Sequence, residues 1–331
     1  MHSLDTVSIH FNPAQMATLN FALAFLMFSV ALDVRVSDFK QVLRFPKSVG
    51  VGLLAQYLAF PAATLLLIAL FSPPASVALG MVLVSMCPSG NLTNFLVQRA
   101  GANIALSVTF NAIVILLASV VTPSGFLLLA KLVPGTESLR AGLELGFGEM
   151  GAIIVQLILA PLLAGMALNH RFPALTARMR KPVSTLGLLI FFAILAIAVW
   201  GNRDNIAASV GSVFPLVALH NALALGTGYA LGKLFALPER DARALAFETG
   251  VHNTGLGLLL IFKFFNGLGG MALLAAWWGI WDMVAGFALA SFWRGRPLSR
   301  QAELLGSLGD ETPGAPLSSP GDGPLPARPG R

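Results

Sequence analysis

Apolar residues fall in nine long runs, near 15–34, 48–71, 76–98, 103–130, 147–169, 183–201, 206–235, 244–263 and 268–293, separated by short polar stretches. A bilayer core about 30 Å thick needs roughly 20 such residues in a helix. The pattern therefore predicts nine transmembrane helices. No strand alternation competes with it, and an open sheet cannot cross lipid. The expected fold class is an all-α polytopic membrane protein. Residues 1–14 carry no basic n-region, so no cleavable signal peptide is expected and the first run should itself act as a signal anchor.

Charge sets the orientation. With the N-terminus outside, the inner loops hold Arg35, Lys40, Arg44, Lys47, Arg99, Arg171, Arg178, Arg180, Lys181, Lys233, Arg240, Arg243, Arg294, Arg296 and Arg300. The outer loops hold Lys131, Arg140, Arg203 and Lys263. Fifteen against four keeps positive charge cytoplasmic. Residues 1–14 then form a short extracytoplasmic N-terminus, 15–296 one membrane domain, and the C-terminus lies inside, as nine spans require. From 297 onward Pro, Gly and Ser dominate, with six prolines between 313 and 329, which predicts a disordered cytoplasmic tail.

Composition narrows the class. The chain has 331 residues, 56% of them hydrophobic and 11% charged, and a mean hydropathy of +0.78. Soluble domains carry about 25% charged residues, so charge this sparse could not cover a soluble surface. The net charge of +6 lies between apolar runs rather than on one soluble face, which argues for a topology signal and against nucleic acid. A single cysteine, Cys87, excludes an internal disulfide.

Two spans break the apolar pattern. In the third, Cys87-Pro88-Ser89-Gly90-Asn91-Leu92-Thr93-Asn94 interrupts the run; in the eighth, Glu248-Thr249-Gly250-Val251-His252-Asn253-Thr254-Gly255 does. Pro removes a backbone donor and Gly loosens the helix. Non-helical backbone survives at this depth only inside protein or beside a wet cavity. One such break reads equally well as a kink. Two, rich in Asn, Thr and Ser and five spans apart, match the paired interrupted segments of inverted-repeat carriers, whose freed carbonyls and half-helix ends bind ions and solute.

Glu248 carries the most information. An acid at a helix centre costs roughly 2.5–3.5 kcal/mol on insertion scales, so it must be paired, protonated or bound to a cation, and its own span offers no Lys or Arg. Asp282 is the other acid well inside a span. Gln56, Ser107, Asn111, His220 and Asn221 are further polar groups in apolar runs, each alone as readily interhelical glue as ligand. Gln56 lies five residues before Pro61, where a local helix distortion could expose it. The chain has no nucleophile-elbow, zincin or phosphate-loop motif, so no catalytic residue is expected. A transporter is expected rather than an enzyme or a passive channel.

At these residues the sequence resembles the bile acid:sodium symporter family. The resemblance spans about residues 18–295. It rests on Ala31-Leu32-Asp33-Val34-Arg35 with Asp38-Phe39, Gly52 to Gln56 with Pro61, the 87–94 and 248–256 segments, Asn103 to Val108, and His220-Asn221. It implies a core domain with two broken helices crossing, a separate panel domain, and sodium-coupled uptake of a small organic anion by alternating access. It also implies a bacterial inner-membrane protein, with nine spans in place of the ten of several bacterial members. No cofactor is implied beyond Na+ as the coupling ion.

The resemblance places a first sodium site on Thr93, Asn94, Ser107, Asn111 and Glu248. It places a second on Gln56, Glu248, the Thr249 and Val251 carbonyls, and His252. Asn91, Asn253, Trp281 and Asp282 are the implied substrate-binding residues. Bile-acid carriers commonly have Gln where His252 stands; imidazole offers nitrogen, whereas hard cations favour oxygen. A second site completed by backbone and water instead, a weakened one, or a proton carried by His252 is therefore open. A proton-coupled or uncoupled carrier of a different solute is the competing expectation.

Overall fold

The computed structural model describes residues 44–137, 139, 155–201, 203–265 and 267–296, with Asp5, Phe21, Ala24, Phe25, Phe28, Ser29, Ala31 and Leu32 nearer the N-terminus. All belong to the first of two units into which the chain divides, Met1–Pro297. Most of the expected first span, the start of the fifth and the expected tail from 297 lie outside the described residues.

Every named element among the described residues is helical. They are α1 (Pro46–Phe71), α2 (Ala75–Met86), α3 (Asn91–Arg99), α4 (Ile104–Ala130), α5 (Ala160–Arg171, after a π-turn over Val155–Leu159), α6 (Pro173–Gly201), α7 (Arg203–Leu234), α8 (Glu239–Gly250), α9 (Thr254–Phe264) and α10 (Gly269–Arg294). Among the described residues, four stretches are long and apolar enough to cross a membrane: α1, α4, Val213–Leu234 of α7, and α10. The third and eighth expected spans are each a pair of shorter helices, α2 with α3 and α8 with α9.

Local chemistry sets the helix ends. Pro46 opens α1, and Ser72 closes it in a left-handed conformation, its N–H bonded to the Ile68 carbonyl before Pro73-Pro74. Pro61 lacks the N–H that would bond to Tyr57, and the turn ahead of it widens into a π-turn over Ala55–Ala59. The distortion expected beside Gln56 is thus present, but Gln56 itself stays fully buried. Asn103 caps α4, its side chain accepting from Leu106 N at 3.1 Å.

The centre of the molecule is α2, buried at every position from Ser76 to Met86. The α10 helix lies along it so closely that a Cβ on Gly80 would come within 3.0 Å of Met271 Cα. On the far side, α7 packs onto α8 through Gly228 and Gly232, four residues apart. A Cβ on Gly228 would collide with the Leu245 carbonyl oxygen, and one on Gly232 would lie 2.7 Å from Ala242 Cβ. Small residues spaced this way let helix backbones approach inside lipid, where packing rather than water drives association. The outer faces of α1 and α4 expose Leu58, Leu66, Leu70, Val120 and Leu128, as a surface facing acyl chains would.

Candidate functional site

The two breaks cross in the core. Residues Cys87–Gly90 separate α2 from α3, and Val251–Asn253 separate α8 from α9. Ser89 and His252 form an antiparallel bridge: Gly90 N donates to the Val251 carbonyl at 3.3 Å, and Asn253 N to the Pro88 carbonyl at 2.8 Å. The crossing therefore satisfies part of the backbone that each helix leaves open. Side chains satisfy three more carbonyls. Gln56 Nε2 donates to the Cys87 carbonyl at 2.8 Å, Asn111 Nδ2 to the Gly90 carbonyl at 3.1 Å, and Asn221 Nδ2 to the Gly250 carbonyl at 2.8 Å. In an unbroken helix, the Glu248 and Thr249 carbonyls would accept from the N–H groups of residues 252 and 253. Those donors are turned to Asp282 and Pro88 instead.

Glu248 is fully buried one turn before the second break. The Ser89 hydroxyl donates to its Oε2 at 2.5 Å, and the Ser107 hydroxyl contacts its Oε1. Ser107 Oγ also lies 2.8 Å from Asn94 Oδ1. A serine has one proton for these two oxygens, so this corner is rich in acceptors and short of positive charge. No Lys or Arg ion-pairs with Glu248 among the described residues.

The expected first cation set is thus brought together: Thr93, Asn94, Ser107 and Asn111 all lie against Glu248 or the crossing, with the Thr93 hydroxyl 3.4 Å from the Val251 carbonyl. Ser89 joins this set. It stands in the motif read from sequence, but its contact with Glu248 needs the crossing to be visible.

At the second set, Gln56 Nε2 lies 3.2 Å from His252 Nε2. The amide therefore donates to imidazole, leaving Gln56 Oε1 buried with no hydrogen-bond partner. Thr249 Oγ1 is similarly orphaned and lies at the α7 contact, where a Cβ on Gly228 would come within 2.8 Å of it. His252 sits in an aromatic cage with Phe60 and Trp278, ring centroids 5.4 and 5.6 Å away, shared with His220. His220 Nε2 contacts Thr64 Oγ1 at 2.8 Å.

The expected substrate residues divide. Asn253 caps α9, accepting from Leu256 N at 3.1 Å. Trp281 is half-buried, edge-on to Phe214 with centroids 5.1 Å apart. Asp282, on α10, is buried against the second break, accepting from His252 N at 3.0 Å and Asn221 Nδ2 at 2.7 Å. Asn91 is the first residue of α3; its side chain lies outside the described residues.

A hard cation wants several oxygens around a partial negative charge. The carboxylate of Glu248, the hydroxyls of Ser89 and Ser107, Asn94 Oδ1, the orphaned Gln56 Oε1 and the released Thr249 carbonyl could supply them. Serine hydroxyls suit both states, since each can donate to the carboxylate or turn a lone pair to a cation.

Membrane-spanning helices around two crossed, broken helices define an all-α polytopic transporter. The family model described as the Sodium Bile acid symporter family matches residues 20–209. A Bacillus subtilis protein named an uncharacterized sodium-dependent transporter is 32% identical over 280 residues, 85% of this chain and 84% of the relative. A probable sodium/metabolite cotransporter of rice, labelled chloroplastic, is 33% identical over 279 residues, and the match spans 64% of its length. The human ileal sodium/bile acid cotransporter is 26% identical over 243 residues, 67% of its length. The chain belongs to the sodium bile acid symporter family, a family of membrane transporters rather than enzymes.

Proposed function

We propose that this protein is a secondary transporter that couples sodium entry to symport of a small organic anion, a bile-acid-like molecule or a keto or hydroxy acid, by alternating access. The observation that carries the reading is Glu248, a fully buried acid with no Lys or Arg ion pair among the described residues and hydroxyl and amide oxygens around it. Sodium at Thr93, Asn94, Ser107, Asn111 and Glu248, and a second ion beside Gln56 and the Thr249 and Val251 carbonyls, would neutralise that charge. Substrate is assigned to the region of Asn91, Asn253 and Trp281. Both carboxylate oxygens of Asp282 are engaged by N–H donors. Sodium-named relatives support the coupling ion.

Uptake by proteoliposomes under separate sodium and proton gradients, with a panel of organic anions, tests this reading. An inward sodium gradient should drive uptake, and a proton gradient alone should not. Equal uptake under a proton gradient alone would defeat it. One second reading, a proton in place of the second sodium, would put that proton on His252 Nε2 with the Gln56 amide turned to offer its unpartnered Oε1.

The sequence orientation, with the N-terminus outside in a bacterial inner membrane and the tail from 297 cytoplasmic, belongs to the same proposal. A reporter active only in the cytoplasm, fused after Arg300, should be active; silence there, with activity of a periplasmic reporter, would reject it.

A further inference from the structure

The two breaks are held from outside in the same manner. At the first, Gln56 on α1 donates to the Cys87 carbonyl where α2 ends, and Asn111 on α4 donates to the Gly90 carbonyl where α3 begins. At the second, Asn221 on α7 donates to the Gly250 carbonyl where α8 ends, and Asp282 on α10 accepts from His252 N just ahead of α9. The preceding helix sends an amide to the near side of each break, and the following helix sends a polar group to the far side. Gln56 and Asn111 belong to the proposed sodium sets. Asn221 and Asp282 belong to neither, yet Asn221 Nδ2 also lies 2.7 Å from Asp282 Oδ1, so the second pair is closed on itself.

We propose that Asn221 and Asp282 form a clamp that fixes the carbonyls of the second break for ion binding, as positioning residues rather than ligands. This rests on the sodium reading of Glu248. The chemistry at each position is directional. The Gly250 carbonyl requires a donor, which Asn221 supplies. His252 N–H and the Asn221 amide both require acceptors, and an ionised carboxylate offers two oxygens and no proton. An Asn at 282 could accept through only one atom; its amide nitrogen would face a donor on the other side. The clamp also ties α7 and α10 to the segment between α8 and α9, within four residues of Glu248.

The test is a sodium titration of the purified full chain in detergent, read as thermal stabilisation in NaCl against choline chloride at constant ionic strength. Asp282→Asn and Asn221→Ala should each raise the half-saturating sodium concentration about tenfold or more, the scale of a lost hydrogen bond to a charged group. Because the two residues act as one clamp, the double variant should lose no more than the worse single variant. Asp282→Glu, which keeps both acceptors, should recover part of the loss.

A residue with only a structural role would lower the unfolding temperature in choline and leave the sodium midpoint alone. An unchanged midpoint, or fully additive single effects, would overturn the clamp. Should Asp282→Asn not fold, Asn221→Ser carries the same test with a shorter donor. No sodium response in the wild type would overturn the sodium reading and the clamp with it, an outcome distinct from a wild-type response that both variants keep.

Discussion

Replacing Glu248 with Gln separates the ion from the fold. The carboxylate accepts from two serine hydroxyls. A Gln keeps one acceptor and turns a donor toward the other serine, whose hydroxyl can rotate to accept it. The cost to folding is on the order of one neutral hydrogen bond, about 1 kcal/mol. Insertion becomes easier because a central charge is gone.

Ion binding changes far more. A cation about 3 Å from a carboxylate is held by roughly 5 kcal/mol at an effective dielectric constant of about 20. Losing that attraction weakens sodium binding by about four decades. In wild type, sodium at about 100 times its dissociation constant should add about 2.7 kcal/mol to stability. Thermal unfolding in NaCl against choline chloride reads this directly. Glu248→Gln should unfold near the wild-type temperature in choline and gain nothing from sodium; Glu248→Asp, one methylene shorter, should gain a fraction. A folded Glu248→Gln protein with the full sodium shift would make this acid structural and remove the site assignment with it.

Gly228→Ala should destabilise by about 1–3 kcal/mol, since its Cβ meets the Leu245 carbonyl and backbone must move; an unchanged unfolding temperature would show that α7 and α8 are not packed this closely. His252→Gln should strengthen sodium dependence by placing an amide oxygen beside Gln56; an unaltered sodium stoichiometry and pH profile would make His252 structural. At the α7–α8 turn, burial alone would raise the Glu239 pKa, but hydrogen bonds from Arg243, Lys233 and Tyr229 outweigh it and hold the carboxyl below its usual range. That stabilisation is present above the ordinary carboxylate pKa and is lost as pH falls through the lowered one. Glu239→Gln should lower stability at neutral pH and flatten the acid-side decline, and an equally steep decline in the variant would show that other groups cause it.

The breaks were legible because Pro, Gly and polar side chains clustered inside an apolar run are too costly in lipid to persist unless they face protein or water. Glu248 was legible because an unneutralised acid there is costly. A local distortion near Gln56 was legible from Pro61, though not its π-turn form. What stayed hidden depends on the crossing. Ser89 and Glu248 are 159 residues apart, and nothing in either segment indicates that their side chains meet. Asp282 is assigned to substrate by the resemblance alone; its two donors, from a distant helix and from the backbone of the break, show only in the fold. Asp241 falls, by hydropathy, in the loop ahead of the eighth span. It is buried, accepting from Ser48 at 2.6 Å and Asn103 at 2.8 Å, which ties α8 to α1 and to the cap of α4.

The bridge between the breaks also bears on how the chain is made. The Pro88 carbonyl and the Gly90 N–H find their partners at Asn253 and Val251, more than 150 residues later. At about 5–20 residues per second, a ribosome needs on the order of ten to thirty seconds to reach them. During that interval the first half sits in the membrane with open backbone groups, in a medium that offers no water to bond them. Until its counterpart arrives, the first broken span should remain near the insertion machinery or beside polar neighbours such as Gln56 and Asn111, which already lie on the nascent chain. Truncation between the halves should therefore yield a fragment prone to degradation, although its hydrophobic length alone would let it insert.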